Sequence, residues 1–392
     1  MRIFHTSDWH LGRQFHGASL RESFESWASF VVETVRERAV DVLVIAGDVY
    51  DRAYPPVWAV ELVDETLARV RDAGAAVVLS PGNHDSATRL GFGASILRHG
   101  GVHIGADVHR IGEPVTLTGR SGAAVDFFML PFLDTSLLRV ARPEWLEARL
   151  GEEPADTESI HRAALETMRD AAKPGRPAVV LAHSFVRGGT STDSEREIRP
   201  EVRQGGLGEI PAGLFEGFAY AALGHLHRRQ RIADSVRYSG SPIPFSFSEA
   251  GHRKGGLMVE VSPGGDTSIS EVDFRGFRAV SRIEGTLEEL LADPALAAAE
   301  EHFVSATLTD TERPAEPMRR LRTRFPLALE IRTPNIEMAS AGGYAQRVRR
   351  ATSRGDVVEM FYSFVRGRAL DAEERPIVAS VLEDVAAAER SA

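Results

Sequence analysis

Five short apolar runs constrain the fold of this chain more than any other feature, because each run is followed by a carboxylate, an amide or an imidazole side chain. The clearest run covers residues 220–223, which are followed by a glycine and then by His225 and His227. The other four runs are residues 2–7, 40–46, 75–80 and 178–182, followed by Asp8 and His10, Asp48, Asn83, and His183. Short, β-rich runs that are apolar on both faces are typical of strands in a sheet covered by helices on both sides.

The segments between these runs have the spacing of amphipathic helices. Leu20, Phe24, Trp27, Val31 and Val35 recur every three or four residues and form one apolar stripe. The alternation of strands and helices predicts an α/β fold. Further helices are expected at residues 59–70 and 160–168, and antiparallel strands at residues 236–242 and 256–261.

Because ligands of open α/β sheets gather at the carboxyl ends of the strands, we expect the five polar endings to form a metal site. The expected ligands are Asp8, His10, Asp48, Asn83, His183, His225 and His227. Their oxygen and imidazole donors fit Mn²⁺, Fe²⁺ or Zn²⁺ better than Ca²⁺ or Mg²⁺. Seven ligands suit two ions about 3.5–4 Å apart that share one carboxylate. Asp48 is the expected bridge, because Gly47 lets the backbone turn tightly before it.

The expected chemistry is hydrolysis of a phosphodiester. Two divalent ions less two carboxylates leave a charge of about +2, which attracts an anionic substrate. A water activated by the ions would attack phosphorus in line. His84 adjoins a ligand and is the candidate general acid or transition-state stabiliser. Asp51 and Asp85 complete the predicted catalytic set, as residues that orient the ligands.

Composition limits the setting of this chemistry. The chain has 392 residues and no cysteine, so we expect no disulfide framework and no thiolate metal site. It opens directly on a strand, without the pattern of a signal peptide, and no apolar run approaches the ~20 residues of a membrane span. We therefore expect a cytoplasmic protein without membrane contact. The net charge of −10 argues against non-specific coating of nucleic acid but leaves a local positive pocket open.

The pattern changes near residues 274–279. Beyond them, apolar runs with a basic stretch between predict a small α+β unit, and the end of the chain predicts two amphipathic helices. Helices this small cannot bury both of their faces alone, so we expect them to dock on another molecule. The predicted domains are residues 1–275, 276–338 and 339–392. The two helical stripes are Val357, Phe361 and Phe364, and Ile377, Val381 and Val385.

Each motif has a plainer explanation when it is taken alone. A strand-end Asp or His is usually a cap, and the glycine-containing motifs at residues 47–48 and 82–85 could be turns. The number of such endings makes this explanation improbable for the whole set. The eight remaining histidines have no such context and are interpreted as surface or core residues: His5, His16, His99, His103, His109, His161, His252 and His302.

In their order along the chain, the motifs resemble those of the calcineurin-like metallophosphoesterase family. They are Asp8-x-His10, Gly47-Asp48-x-x-Asp51, Gly82-Asn83-His84-Asp85, His183 and Gly224-His225-x-His227. Residues 6–12, 47–52, 194–196, 205–206, 222–228 and 238–242 are similar to the SbcD-type nuclease subunits of that family. The resemblance is specific up to about residue 260 and looser beyond it. Arg229 departs from it, since a proline is expected there.

The resemblance implies a four-layer αββα sandwich with two Mn²⁺ ions. One ion would be held by Asp8, His10, Asp48 and His227, and the other by Asp48, Asn83, His183 and His225. His84 matches the catalytic histidine of the family. The implied activity is that of a 3′-5′ exonuclease on double-stranded DNA ends and an endonuclease on hairpins, in DNA replication, repair and recombination at the nucleoid.

The same resemblance implies partners. SbcD-type proteins act as a homodimer with two copies of the ATPase SbcC, in a heterotetramer. The unit at residues 276–338 would cap the DNA site, and the helices within residues 339–392 would bind the base of the SbcC coiled coil.

Arginines near the predicted site could contact DNA phosphates, although charge clusters are more often solvated surface. They are Arg187, Arg196, Arg199, Arg203, Arg228, Arg229 and Arg231. Two alternatives remain open. The first is a phosphodiesterase for a small nucleotide-like substrate, which leaves the region beyond residue 275 without a use. The second is a non-catalytic scaffold of the same fold, against which the complete ligand set counts.

Overall fold

The computed structural model describes residues 1–195, 208–334, 353–366 and 368–391. The chain divides into two compact units, Met1–Val280 and Ser281–Ala392. The predicted boundary at residues 275/276 lies close to this division, whereas the one at residues 338/339 lies outside the described residues. Among the described helices, none combines the length and the apolar character that crossing a membrane requires.

Seventeen strands lie within the part of the chain that the structure describes. In chain order they are β1 (Arg2–Thr6), β2 (Gln14–Phe15), β3 (Ala18–Ser19), β4 (Val42–Ala46), β5 (Ala76–Ser80), β6 (Val102–Ile104), β7 (Val115–Thr118), β8 (Ala124–Met129), β9 (Ala178–His183), β10 (Tyr220–Gly224), β11 (Gln230–Arg231), β12 (Val236–Tyr238), β13 (Lys254–Val261), β14 (Thr267–Phe274), β15 (Val280–Gly285), β16 (Phe303–Leu308) and β17 (Ala328–Arg332).

The described α-helices lie between these strands and at the end of the chain. They are α1 (Arg21–Glu37), α2 (Val57–Asp72), α3 (Ala87–Leu90), α4 (Ala94–Leu97), α5 (Thr135–Ala141), α6 (Pro143–Leu150), α7 (Thr157–Ala171), α8 (Leu287–Ala292), α9 (Pro317–Leu321), α10 (Arg354–Arg366) and α11 (Glu374–Ser391).

Two six-stranded sheets form the centre of the first unit. Their strand orders are β14-β13-β1-β4-β5-β6 and β11-β12-β10-β9-β8-β7. In the first sheet, β1, β4 and β5 are parallel neighbours, and in the second sheet β9 and β10 are parallel neighbours. The carboxyl ends of all five predicted runs therefore lie beside a neighbouring run of the same direction.

The two sheets pack face to face. The core between them contains Val44 and Val78 from the first sheet and Phe127 and Val179 from the second. Helices cover the outer faces: Trp27 of α1 lies with its ring centroid 6.4 Å from that of Phe4 in β1, and apolar residues of α7 pack in a core with residues of β8 and β9. The predicted four-layer αββα sandwich is confirmed.

The structure corrects two details that were inferred from the apolar runs. Helices on both sides of a single sheet were expected, but the second face of each sheet is covered by the other sheet. The sequence of an apolar strand face does not show whether helices or a second sheet pack against it. The second detail concerns residues 236–242, which were expected to form an antiparallel strand. The strand β12 runs antiparallel to β11 but parallel to its other neighbour, β10. The prediction for residues 256–261 is correct, since β13 runs antiparallel to both β1 and β14.

The second unit contains a three-stranded sheet, β15-β16-β17, in which β16 and β17 are parallel. One apolar core joins this sheet to α8 and α9 and includes Leu287, Leu321 and Phe325. In the same unit, polar contacts link α10 to α11: Arg375 lies 3.1 Å from Glu359, and Tyr362 donates a hydrogen bond to Glu374. The side chains of Phe364 and Val385, assigned to the two helical stripes, lie outside the described residues.

Candidate metal centre

The carboxyl ends of β1, β4, β5, β9 and β10, with the loops that follow them, bring the seven predicted ligands together; His183 is the last residue of β9. His10 and His227 approach with their Nε2 atoms 3.1 Å apart, and both rings are buried. One ligand atom each from Asp8, His10 and His227 lie within 4.8 Å of one another. These three residues come from loops after strands of different sheets, so the packing of the sheets assembles the cluster.

A second cluster forms around the amide of Asn83. Its Oδ1 lies 3.0 Å from Nε2 of His183 and 3.2 Å from Nδ1 of His225. His225 thus presents Nδ1 to the cluster, whereas His183 presents Nε2. All three residues belong to the predicted ligand set.

Asp48 lies between the two clusters. Its Oδ2 is 3.4 Å from Nε2 of His10 and 3.2 Å from Nε2 of His183, and its Oδ1 accepts a hydrogen bond of 2.9 Å from the backbone amide of His84. A carboxylate in this position faces ligands of both clusters.

The donor chemistry around His183 fits a cation. Nδ1 of His183 lies 2.9 Å from the carbonyl oxygen of Ala46 and therefore carries a proton. In the neutral ring, Nε2 then carries a lone pair, and this lone pair faces two acceptor oxygens, those of Asn83 and Asp48. Three lone pairs that converge in this way repel one another unless a positive charge lies among them. Either a metal ion or a proton on His183 can supply that charge.

Electrostatics in the metal-free pocket follow the same logic. Burial opposes protonation of His183, but the charge of Asp48 and its hydrogen bond raise the pKa of His183 to about 9. Burial raises the pKa of Asp8 to about 7. Burial also acts to raise the pKa of Asp48, yet nearby histidines, His183 first, hold that pKa well below its usual range. The pocket without metal therefore retains protons at neutral pH.

Four of the predicted ligands lie in unusual backbone conformations. Asp8, His10, Asp48 and His225 have φ values of 53°, 47°, 51° and 102°. Side chains other than glycine adopt positive φ rarely, and each instance costs on the order of 1–3 kcal/mol. Strain concentrated at four ligands indicates that the surrounding fold holds these side chains in place.

Gly47 lets the loop after β4 approach His183. Its φ is +87°, and a Cβ at this position would lie 2.1 Å from Nδ1 of His183. The side chain of His183 therefore occupies the space that any larger residue at position 47 would need. This contact adds a second requirement to the tight turn that the sequence predicted.

The three residues of the predicted catalytic set have different surroundings. Nδ1 of His84 donates to the backbone carbonyl of Asp51 at 2.8 Å, and its ring lies edge-on to that of His10 with 4.7 Å between centroids. The carboxylate of Asp51 is 3.5 Å from Arg13. Asp85 accepts hydrogen bonds of 2.9–3.1 Å from backbone amides at residues 49, 50 and 82. Asp85 thereby ties the loop after β4 to the loop after β5.

Sequence reasoning missed a group of buried polar residues behind His227. Ser194 contacts Nδ1 of His227 at 2.7 Å, Glu195 accepts from the backbone amide of His227, and Glu249 pairs with Lys254. Ser194 and Glu195 were noted only as part of the resemblance, without a role. Glu249 and Lys254 lie near one another in sequence, but nothing in their spacing predicts that they are buried.

The arginines proposed for DNA have different positions. Arg196, Arg199 and Arg203 lie outside the described residues, whereas Arg187 and Arg228 are exposed. Arg229 was included in error: its side chain is only 8% exposed and lies 3.0 Å from both Glu271 and Asp273. Its charge is neutralised within the protein. Arg231 pairs with Asp234.

Comparison with known proteins matches both parts of the chain. Residues 1–229 match the family described as calcineurin-like phosphoesterase. Residues 276–366 match the SbcD C-terminal domain, described as the Type 5 capsule protein repressor C-terminal domain.

Similar solved structures include a dimetal phosphatase from Danio rerio, which is 12% identical with a TM-score of 0.38. That match covers 68% of this chain and 98% of the other. A second is GAP50, the anchor in the inner membrane complex of Plasmodium, which is 11% identical with a TM-score of 0.33. That match covers 70% of this chain and 89% of the GAP50 chain.

The first prediction concerns Gly47. Gly47→Ala should weaken Mn²⁺ binding by about 10-fold or more, because its Cβ would displace His183. Calorimetric titration with Mn²⁺ measures the effect. Gly17→Ala is the matched control: its φ is +82°, but among the described residues a Cβ there meets no heavy atom within 4 Å. Equal losses in both variants would mean that backbone strain, and not contact with His183, controls binding.

The second prediction concerns pH. Metal binding requires deprotonated ligands, so a divalent ion that binds here must displace the proton that His183 holds up to about pH 9. Mn²⁺ affinity should therefore rise with pH through neutrality and level off above about pH 9. Calorimetry in buffers of different ionisation enthalpy should detect proton release near neutral pH. An affinity that does not change between neutral pH and about pH 9 would contradict this account of the pocket.

Proposed function

Because this chain belongs to the calcineurin-like phosphoesterase family, with the SbcD-type C-terminal domain, we propose that it is a manganese-dependent DNA nuclease. It hydrolyses phosphodiester bonds, as a 3′-5′ exonuclease on double-stranded ends and as an endonuclease on hairpins. Its partner is the ATPase SbcC, and its role is DNA end processing in repair and recombination. The observation that carries the proposal is the convergence of two ligand clusters on Asp48.

The ligand set supports two metal ions. Asp8, His10 and His227 would hold one, Asn83, His183 and His225 the other, and Asp48 would bridge them. The mixture of imidazole and oxygen donors favours manganese over magnesium or calcium. When bound, the ions supply positive charge at the phosphodiester and lower the pKa of the attacking water.

The surroundings of His84 support a role on the substrate. Its Nδ1 donates to the backbone carbonyl of Asp51, which fixes the ring and leaves Nε2 for the substrate. A protonated Nε2 can donate to the leaving oxygen or stabilise charge on the phosphoryl group in the transition state. Asp51 acts through its carbonyl and Asp85 through the backbone amides that it binds, so both are positioning residues.

The second unit offers a surface for SbcC. Val357 and Phe361 in α10 are 37% and 56% exposed, and Ile377 and Val381 in α11 are 65% and 54% exposed. Their spacing places an apolar stripe on each helix, as a helix-in-groove or coiled-coil contact requires. In the same unit, the sheet β15-β16-β17 and its helices would form the predicted DNA-capping domain.

The first unit has exposed apolar side chains that support a homodimer. Val57, Phe92 and Ile96 are 73%, 86% and 74% exposed. The segments that carry them are adjacent, since the guanidinium of Arg89 lies 3.7 Å from the ring centroid of Tyr54. Exposed apolar groups that lie together commonly mark a protein interface, and a second copy of the chain is the occupant that the family resemblance implies.

The third prediction tests the chemistry. Wild-type protein with Mn²⁺ should cleave a labelled duplex with a hairpin end and a generic bis-aryl phosphodiester. His84→Gln should lower both rates by about 10²–10⁴-fold, the usual contribution of a general acid. Bound manganese, measured by mass spectrometry after dialysis, should not change. His99→Gln, at an exposed position, is the matched control.

The other outcomes of this experiment separate the alternatives. Joint loss of metal and activity in His84→Gln would make His84 a ligand. Turnover of the small diester with DNA untouched, even with SbcC and ATP, would favour the phosphodiesterase for a small nucleotide-like substrate. A wild-type protein that binds no metal and cleaves neither substrate would be a scaffold of the same fold.

The fourth prediction tests the partner. Phe361→Glu combined with Ile377→Glu should weaken SbcC binding by about 100-fold or more, because each of the two apolar contacts contributes on the order of 1.5–3 kcal/mol. Manganese-dependent cleavage by the isolated subunit should persist. Leu137→Glu, at a position 69% exposed in the first unit, is the control. SbcC binding that survives the double substitution would overturn the docking assignment.

A further inference from the structure

A chain of buried polar residues lies behind His227 and has no role in the chemistry described above. The Oγ of Ser194 is 2.7 Å from Nδ1 of His227 and 2.8 Å from Oε1 of Glu249. Oε2 of Glu249 accepts a hydrogen bond from Nζ of Lys254. Ser194, His227, Glu249 and Lys254 are each 4% exposed or less.

Every donor and acceptor of the ion pair has a partner. The ammonium of Lys254 donates to Glu249, to Oγ of Ser241 at 2.8 Å and to the carbonyl oxygen of His227 at 3.0 Å. Oε1 of Glu249 also accepts from the amide of Phe245 and from the hydroxyl of Ser246. A buried ion pair costs desolvation energy and persists when such partners compensate it. A fully satisfied network of this kind is rigid.

The charges of Glu249 and Lys254 determine the direction of the hydrogen bonds between these buried residues. Lysine only donates, and a carboxylate that receives four donors only accepts. Ser194 therefore gives its one proton to Glu249, and its oxygen must accept from Nδ1 of His227. Thr192, 2.7 Å from Ser194, does not reverse this order, because its own hydroxyl lies 2.6 Å from the carboxylate of Glu195.

We infer that Ser194, Glu249 and Lys254 are positioning residues that fix the tautomer and the orientation of His227. With the proton held on Nδ1, the lone pair of Nε2 faces His10 and the first ligand cluster. Lys254 adds a second anchor through the backbone carbonyl of His227, so the ring and the main chain of this ligand are held by one network. The inference rests on the metal centre of the proposed function and is independent of the substrate.

Free imidazole exchanges between two tautomers, and the wrong one would point an N–H at the metal. A network that enforces the Nδ1–H form removes this competing state before the metal binds. Partners of this type that orient a metal-binding histidine typically contribute about 10–100-fold to metal affinity. Glu249 and Lys254 are thus expected to set affinity without contacting metal or substrate.

Calorimetric titration of the full-length protein with Mn²⁺ tests the inference. Ser194→Ala and Glu249→Gln should each weaken one class of Mn²⁺ site by about 10–100-fold. Ser281→Ala is the matched control, because its hydroxyl contacts Nδ1 of His302 at 2.8 Å in the second unit. That variant should bind Mn²⁺ like the wild type. Thermal unfolding of each variant shows whether the protein remains folded.

A spectroscopic measurement separates a tautomer effect from general loosening. Two-bond ¹H–¹⁵N correlation spectra of metal-free, ¹⁵N-histidine-labelled protein report which ring nitrogen carries the proton. His227, assigned by its absence in His227→Gln, should show the Nδ1–H form in the wild type. It should shift toward the Nε2–H form in Ser194→Ala and in Glu249→Gln.

The outcomes are distinct. A wild-type protein that binds no Mn²⁺ would refute the proposed metal centre itself. Wild-type binding with unchanged affinity in folded Ser194→Ala and Glu249→Gln would overturn only the inference. So would weakened binding in which His227 keeps its Nδ1–H form, because the loss would then come from packing and not from the tautomer.

Discussion

The rest of the structure depends on holding several lone pairs close together around Asp48. Oxygens and imidazole nitrogens approach within 3.0–3.4 Å here, although no proton can satisfy all of them at once. Such an arrangement is unfavourable unless a metal ion or a proton on His183 supplies positive charge, so the polypeptide must impose it. The parallel strands that end at this edge, the positive φ values of four ligands and the close approach of Gly47 all serve that purpose. A divalent metal ion would then bind with little rearrangement of the site.

Much of this arrangement could be predicted from the sequence. Apolar runs such as residues 42–46 are too short for helices and apolar on both faces, so their identity as buried strands follows from local pattern. The polar residue after each run then lies at the carboxyl edge without further assumption. The pattern alone therefore predicts that Asp48, His183 and His227 lie together, given the topological rule for parallel strands.

The features that could not be predicted from the sequence depend on neighbours that only the tertiary structure brings together. Whether a helix or a second sheet covers an apolar face leaves no local trace, and neither does the direction of a three-residue strand such as β12. The same holds for charged residues. Arg229 was grouped with candidate DNA contacts, yet it is neutralised by Glu271 and Asp273 on a neighbouring strand. Lys254 opens β13 and gives no sign in the sequence that its ammonium is buried.

Two carboxylates outside the ligand set stabilise the centre from different sides. Asp85 binds backbone amides and ties two ligand loops together, whereas Glu249 acts through Ser194 on a single ring. The first carboxylate lies in a ligand motif and could be found by its position, but the second could not. A related chain that keeps all seven predicted ligands and lacks Glu249 should therefore retain the recognisable motifs while binding metal more weakly. Ligand motifs alone identify the chemistry of such a site, but its affinity depends on buried partners that only the fold brings together.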